Sequence, residues 1–211
     1  MIKTIEELKK EYESFSDIPG KLRRDVKLGK YIPIVRGLYE TDKSAPGYFL
    51  ASYIYGPSYL SFEYALSYYG LIPERVSTYT SASFNKNKTK KHMTLFGNYI
   101  YKDVPKLAFP YEVSAIEENG YVYHIATKEK ALCDKLYDLK PLSSVKDLKL
   151  ILFSDLRIEE TSFALLDKSK LNFLIPKYKS KNLMLLGKMI MEDNEYASFR
   201  TNAKKIQNKL S

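Results

Sequence analysis

Hydrophobic and aromatic residues are densest between residues 49 and 74, where the sequence is FLASYIYGPSYLSFEYALSYYGLIPE. One set has the spacing of a buried helical face: Phe49, Leu50, Tyr53 and Ile54. A second set predicts another helix: Leu60, Tyr64, Leu66 and Tyr68. Gly56-Pro57 separates the two, because proline disfavours helical geometry in the preceding residue, and Ser58 or Ser61 can cap the second helix. The pattern predicts two helices joined by a turn.

The N-terminal residues predict two helices followed by two strands. Residues 3–14 predict a short amphipathic helix, with Ile5, Leu8 and Tyr12 on one face. Residues 21–28 predict a second helix with these residues inward: Leu22, Val26 and Leu28. Residues 31–40 predict two short strands that turn near Arg36-Gly37. Helix, turn, basic helix and hairpin is the order expected at the end of a winged helix-turn-helix.

The second of these helices is strongly basic, in a chain with a formal net charge of +9. Asp25 is the only acidic residue among its basic residues, which are Lys21, Arg23, Arg24, Lys27 and Lys30. If the helix enters a major groove, Arg23, Arg24 and Lys27 lie nearest to DNA, and Lys30 and Arg36 contact phosphates. The alternative is an ordinary solvated helix face.

A complete winged helix usually has another helix before this pair, and only a few residues precede the first helix here. Three interpretations follow. The module is truncated, or it is completed by the following domain, or it no longer binds DNA.

Residues 41–47 predict a boundary, after which the pattern of strands returns in residues 75–84 and 93–101. Between these strands lies a segment with four lysines: Lys86, Lys88, Lys90 and Lys91. The sequence predicts a hairpin with these lysines at its tip. They are candidates for secondary phosphate contacts, and the alternative is a solvated loop.

Residues 111–116 and 121–126 predict a further hairpin, because Asn119-Gly120 suits a tight turn with positive backbone angles. Thr127 is placed to cap a helix over 128–139. The inner face of this helix is predicted to contain Ala131, Leu132, Leu136 and Leu139.

From residue 144 the pattern is helical, with short elements predicted at 144–153, 158–166 and 169–174 and a longer basic helix at 181–209. The apolar stripe of that last helix consists of Leu183, Leu186, Met189, Ile190 and Tyr196. This region could cover the central domain, form a dimer or hold a partner.

The residues offer little for catalysis. The single cysteine excludes an internal disulfide and a cysteine-based metal site, and the two histidines, His92 and His124, are too few to form a histidine-rich zinc site on their own. It contains no phosphate-binding glycine loop, nucleophile elbow or H-E-x-x-H motif. Cys133 is predicted to be a core residue, His124 a structural histidine, and Glu129 a first-turn residue that complements the positive end of its helix. Because these motifs are absent, we predict a non-enzymatic protein with no cofactor and no metal. We also predict that it is cytoplasmic, because no apolar run could span a bilayer and the N-terminus lacks the apolar core of a signal peptide.

The dense stretch resembles the signature of the AbiEi antitoxins of bacterial type IV toxin–antitoxin and phage-defence (abortive infection) systems. The matching residues within it are Gly56, Pro57, Ser58, Tyr59, Leu60, Ser61, Ala65, Leu66, Tyr69, Gly70, Leu71, Ile72 and Pro73. Further matches outside it are Arg36-Gly37-Leu38-Tyr39, Thr80-Ser81, Gly97-x-Tyr99-x-Tyr101 and Ala126-x-x-Glu129-Lys130-Ala131-Leu132-x-Asp134. The resemblance covers about residues 20–140 in the same order.

The resemblance implies an α+β protein with a winged-helix module at 1–43, a mixed α/β core with antiparallel hairpins at 44–140 and a helical region at 141–211. It implies a transcriptional autorepressor that binds double-stranded operator DNA and counteracts a nucleotidyltransferase toxin, without requiring a direct complex with that toxin. The alternative is a protein–protein interaction module that inhibits an acidic partner through its basic C-terminal helix, with a vestigial winged helix.

Overall fold

The computed structural model describes residues 1–192 and shows a mixed α and β protein. Residues 1–40, here called the N-terminal module, contain β1 (Ile2–Thr4), α1 (Ile5–Glu11), α2 (Ile18–Lys27), β2 (Ile32–Val35) and β3 (Leu38–Glu40). The three strands form an antiparallel sheet in the order β1-β3-β2. The predicted turn is present between β2 and β3, where Gly37 has φ +82°. Strand β1 is not among the elements that the sequence pattern predicts.

Local capping explains where the two helices of this module begin. Thr4 and Glu7 form a reciprocal capping box at the start of α1. Asp17 caps α2 by accepting from the backbone N–H of Gly20 at 2.9 Å, so α2 begins at Ile18 rather than at residue 21. The core of the module contains Leu8, Tyr12, Leu22 and Tyr31. The prediction that Leu28 points inward is wrong, since it follows the end of α2 and is 81% exposed.

The dense apolar stretch is only partly helical. A 3₁₀ turn at Gly47–Leu50 continues into α3 (Ala51–Ile54), and a two-residue strand β4 (Tyr59–Leu60) precedes α4 (Phe62–Tyr68). Leu60 therefore lies in a strand rather than on a helical face, although it is buried. Tyr53 and Tyr68, predicted to be inward, are about half exposed, at 47% and 50%.

The remaining strands are β5 (Thr78–Ser83), β6 (Lys90–Thr94), β7 (Gly97–Asp103), β8 (Val113–Glu118) and β9 (Tyr121–Ala126). With β4 they form one six-stranded sheet in the order β6-β7-β5-β4-β9-β8. The β5/β7 and β4/β9 pairs are parallel, and the other neighbours are antiparallel. The sheet is therefore mixed, although the β8–β9 hairpin across Asn119-Gly120 is present as predicted.

The predicted hairpin with a lysine-rich tip is wrong. Since β5 pairs in parallel with β7, the two strands cannot be joined by a hairpin. The chain leaves β5, passes beyond the position of β7, and returns through β6, so Lys86 and Lys88 lie in the connection. Lys90 and Lys91 lie in the edge strand β6 itself.

The described elements after β9 are helical. Thr127 caps α5 (Lys128–Asp138) by accepting from the backbone N–H of Lys130, as predicted. The chain continues with α6 (Val145–Leu150), a π turn at Ile151–Asp155, α7 (Glu160–Ala164) and α8 (Lys168–Tyr178).

A last helix is described over 181–192. Its predicted apolar residues are buried in the main core: Leu183, Leu186, Met189 and Ile190. The predicted extension to residue 209, including Tyr196, lies outside the described residues.

Candidate nucleic-acid interface

The outer surface of α2 carries three exposed cations. Arg23, Arg24 and Lys27 are exposed, whereas Leu22 on the opposite side of α2 is buried. Because residues three and four apart lie on the same side of a helix, Arg23 and Lys27 are neighbours, and Arg24 flanks them. None of the three forms an ion pair within residues 1–192. Arg36 is also exposed, at the turn between β2 and β3.

The two other lysines predicted to contact DNA surround Asp25. Asp25 is 2% exposed and accepts from Lys21 Nζ at 2.8 Å and from the buried hydroxyl of Tyr12. Lys30 Nζ lies 3.6 Å from the same carboxylate. Asp25 is thus a buried carboxylate that links Tyr12, at the end of α1, to Lys21 on α2 and to Lys30 after α2. The carboxylate therefore compensates part of the charge of Lys21 and Lys30, and the uncompensated charge of α2 is that of its outer surface.

Hydrogen bonds from Lys21 and Tyr12 hold the pKa of Asp25 at about 2. A depressed pKa stabilises the folded state above the unfolded pKa, near 4, and this contribution is lost as the pH falls towards 2. We therefore expect the stability of the wild-type protein to fall more steeply between pH 4 and pH 2 than that of Asp25→Asn. Urea unfolding at several pH values checks this, and parallel profiles for the two proteins would contradict it.

An apolar groove of about 350 Å³ lies between the two helices and the small sheet of the N-terminal module. Its apolar walls are formed by Ile5, Ile18, Pro19, Leu22, Val26, Pro33 and Tyr39. Lys9 and Arg23 add positive charge at its edge. In the described chain, no further helix of the module covers this groove.

The lysines between β5 and β7 differ in their surroundings. Lys86 Nζ donates to the backbone carbonyl of Gly56 at 3.3 Å and lies 5.1 Å from the ring centroid of Tyr55. Lys88 and Lys91 are exposed, and Lys90 is half-buried. These last three make no ion pair among the described residues.

A buried polar network, which the sequence analysis missed, joins two of the family-like segments. Asp134 is fully buried and accepts from the hydroxyl of Tyr59 at 3.1 Å and from that of Ser61 at 2.6 Å. The Ser61 hydroxyl makes no capping hydrogen bond to α4, the role proposed from sequence. Residues 56–61, here called the GPSYLS segment, thus contact α5 through polar side chains.

Lys130 and Tyr178 complete this Asp134 network. Lys130 Nζ, also fully buried, lies 3.1 Å from Asp134 and donates to the backbone carbonyl of Ala108 at 2.9 Å and to Tyr178 at 2.6 Å. The Tyr178 hydroxyl donates to Asp134 at 2.5 Å, which ties α8 to α5. Since every member is buried and hydrogen-bonded, the network holds the fold together.

Three residues considered for chemistry occupy ordinary positions. Glu129 is buried and accepts from the backbone N–H of Asp167 at 3.0 Å, so it connects α5 to α8 rather than only complementing the end of its helix. Cys133 is fully buried, and burial raises the pKa of its thiol. His124 is exposed on β9 rather than enclosed in the structure.

His124 borders an open cavity of about 650 Å³ beside the GPSYLS segment. Its walls are mainly apolar and include Tyr53, Pro57, Tyr59, Phe109 and Val122. Ser52 and Ser58 are the serines there, and the Ser58 hydroxyl donates to the backbone carbonyl of Tyr55 at 2.6 Å. The cavity has the size of a small-molecule site.

Residues 1–192 contain no group of three or more histidine, cysteine or carboxylate side chains placed to hold a metal ion. No helix in the same residues is long and apolar enough to cross a membrane. No known family model matches the chain, and no curated protein matches its sequence.

Proposed function

We propose that this chain is an AbiEi-like antitoxin that binds operator DNA as a transcriptional autorepressor and counteracts a nucleotidyltransferase toxin. The observation that carries the DNA-binding part is the outer surface of α2, where Arg23, Arg24 and Lys27 are exposed and free of carboxylates in the described chain. The antitoxin part rests on the sequence resemblance.

The chain order β1-α1-α2-β2-β3 supports a winged-helix interpretation of the N-terminal module. In such an arrangement the second helix of the pair enters the major groove and the hairpin contacts the backbone. Arg23 and Arg24 then donate to base edges, and Lys27 and Arg36 contact phosphates. Lys21 and Lys30 lie beside the same surface and add phosphate contacts that their pairing with Asp25 weakens.

Lys86, Lys88, Lys90 and Lys91 are proposed as secondary phosphate contacts. Of these four, Lys86 is the weakest candidate, because its ammonium group already interacts with Gly56 and Tyr55. Their contribution would be insensitive to DNA sequence.

The decisive experiment compares the purified full chain on its own upstream DNA and on a scrambled duplex, by fluorescence anisotropy across a salt series. We expect a preference of at least about a hundredfold for the upstream DNA, or about 3 kcal/mol. Equal, weak and strongly salt-dependent binding to both duplexes would contradict operator recognition, since it would reflect only the net charge of the chain.

A further inference from the structure

The two ends of the six-stranded sheet carry opposite charge. β6 forms one edge and follows a basic connection, so that edge presents Lys88, Lys90 and Lys91. β8 forms the other edge and ends in Glu117-Glu118. An edge strand offers unpaired backbone N–H and C=O groups to another strand.

The basic edge also exposes large apolar side chains. Met93 and Leu95 are 86% and 80% exposed, and Met93 shares a face of β6 with Lys91 because side chains alternate along a strand. His92 lies on the opposite face, with its ring centroid 6.0 Å from that of Tyr101. Lysine alone would protect an edge against pairing, whereas exposed Met93 and Leu95 add apolar surface that favours association.

The strand directions fit the two edges to each other. Following the pairings from β6 to β8 through the sheet, β6 and β8 run in opposite directions. A second copy placed beside β6 in the same orientation therefore presents its β8 antiparallel to β6. Such pairing continues the sheet from one copy into the next.

One register satisfies both charge and burial. It places Lys91 opposite Glu117 and Met93 opposite Ala115, and it brings Lys90 opposite Glu118. Within each copy, Met93 is paired with Asn98 and Lys91 with Ile100, while Ala115 is paired with His124 and Glu117 with Val122.

The same register also matches the faces of the two sheets. The other face carries Tyr99 and Tyr123, and the 3₁₀ turn lies against it: the Tyr99 hydroxyl donates to the Gly47 carbonyl at 2.9 Å, and the Tyr123 ring centroid lies 5.7 Å from that of Phe49. Lys91, Met93, Ala115 and Glu117 thus share the face of the sheet away from this turn. Paired side chains would meet on one face rather than point to opposite sides.

We propose that copies of this chain associate head to tail by antiparallel pairing of β6 of one copy with β8 of the next. Pairing of two β6 strands is disfavoured because it brings two positively charged edges together, and pairing of two β8 strands brings two negatively charged edges together. Glu117 has no ion pair in the described chain, and Glu118 accepts only from tyrosine hydroxyls there, Tyr48 at 3.2 Å and Tyr123 at 3.5 Å. Glu112, at the start of the edge, is already paired with Lys170 at 2.7 Å.

The contact between β6 and β8 uses two different surfaces of the chain, so it produces open chains or rings rather than a two-fold dimer.

Sedimentation of the full chain without DNA tests the proposal. At low salt we expect the average mass to rise with protein concentration above the 24.5 kDa of one chain, and to return towards it at high salt. Lys90→Glu/Lys91→Glu and Glu117→Lys/Glu118→Lys should each weaken self-association at least tenfold. An equimolar mixture of the two variants should associate again, because each supplies the edge that complements the other.

Lys146→Glu/Lys149→Glu is the matched control, since both lysines are exposed and lie on α6, which is part of neither edge strand. The register is tested by disulfide formation between copies: Met93→Cys/Ala115→Cys should give a ladder of cross-linked oligomers, and Met93→Cys/Ser114→Cys, with Ser114 on the other face, should not. A monomeric wild type, a mixture that stays monomeric, or cross-linking independent of register would overturn the proposal. It would also be overturned if Lys90→Glu/Lys91→Glu weakened only DNA binding, which would assign these lysines to phosphates.

Discussion

Replacing Asp134 by alanine is expected to lower the free energy of unfolding by about 3–5 kcal/mol, the range found when one partner of a buried ion pair is removed. The variant would leave the Lys130 ammonium group fully buried without its counter-charge. Three hydroxyl donors would lose their acceptor at the same time: those of Tyr59, Ser61 and Tyr178. Buried polar groups without partners are costly, because folding removes the water that would otherwise satisfy them.

Urea unfolding followed by circular dichroism measures this loss. Asp138→Ala is the matched control: it removes a carboxylate from the same helix, but one that is about a third exposed and paired with Lys102 at 2.6 Å. Removal of a surface ion pair costs at most about 1 kcal/mol. The double variant Lys130→Met/Asp134→Leu should recover part of the loss, since no isolated charge remains buried. Equal losses in Asp134→Ala and Asp138→Ala would contradict a stabilising network.

The elements predicted well from sequence are those whose signals are local. The β8–β9 turn needed only Asn119-Gly120, whose backbone angles φ are +52° and +77°. The Thr127 cap and a helical period of apolar residues were sufficient to predict α5. The helix ends at Asp138, one residue before the predicted end. Such signals act within a few residues and do not depend on how the rest of the chain folds.

The order of the strands could not be predicted in the same way. The sequence shows two extended segments around a polar, lysine-rich segment, a pattern that fits a hairpin as well as a crossover. Pairing of β5 with β7 depends instead on packing at a distance, such as the Tyr101 hydroxyl donating to the carbonyl of Ala51, 50 residues earlier. Lys90 and Lys91 therefore lie in an edge strand, where the sequence alone suggested the tip of a hairpin.

The Asp134 network was missed for a related reason. Lys130 and Asp134 are four residues apart, so sequence alone places opposite charges on one side of a helix. A pair of this kind is usually solvated, and nothing local indicates burial. The partners that enclose it, Tyr59 and Ser61, lie 75 and 73 residues earlier. The available signal was that the pair and these partners lie in two segments, residues 126–134 and 56–73, that carry the same family resemblance.

Asp25 offered a clearer signal. It lies three residues after Leu22, on the side of α2 that faces α1, so its position in the helical period indicates an inward side chain. The charge of Asp25 alone gives no indication that its side chain is buried. Its burial divides the basic residues into Lys21 and Lys30, which surround it, and Arg23, Arg24 and Lys27, which remain outside.

That division leads to the prediction with the largest expected functional effect. Arg23→Ala/Arg24→Ala should weaken binding to the upstream DNA by at least about a hundredfold, or about 3 kcal/mol, since each arginine that reads a base contributes about 1–3 kcal/mol. Both side chains are exposed and make no ion pair in the described chain, so the double variant should unfold at the same urea concentration as the wild type. Fluorescence anisotropy on upstream and scrambled duplexes measures the loss.

Two further variants separate specific recognition from general charge. Arg23→Lys/Arg24→Lys keeps both positive charges but loses the planar fork of donors that matches guanine, so it should lose the preference for upstream DNA while retaining most binding to the scrambled duplex. Lys146→Ala/Lys149→Ala removes two exposed charges from α6 and should leave that preference unchanged. Unaltered affinity of Arg23→Ala/Arg24→Ala for upstream DNA would remove α2 from the interface. An equal loss in the α6 variant would show that net charge alone governs binding.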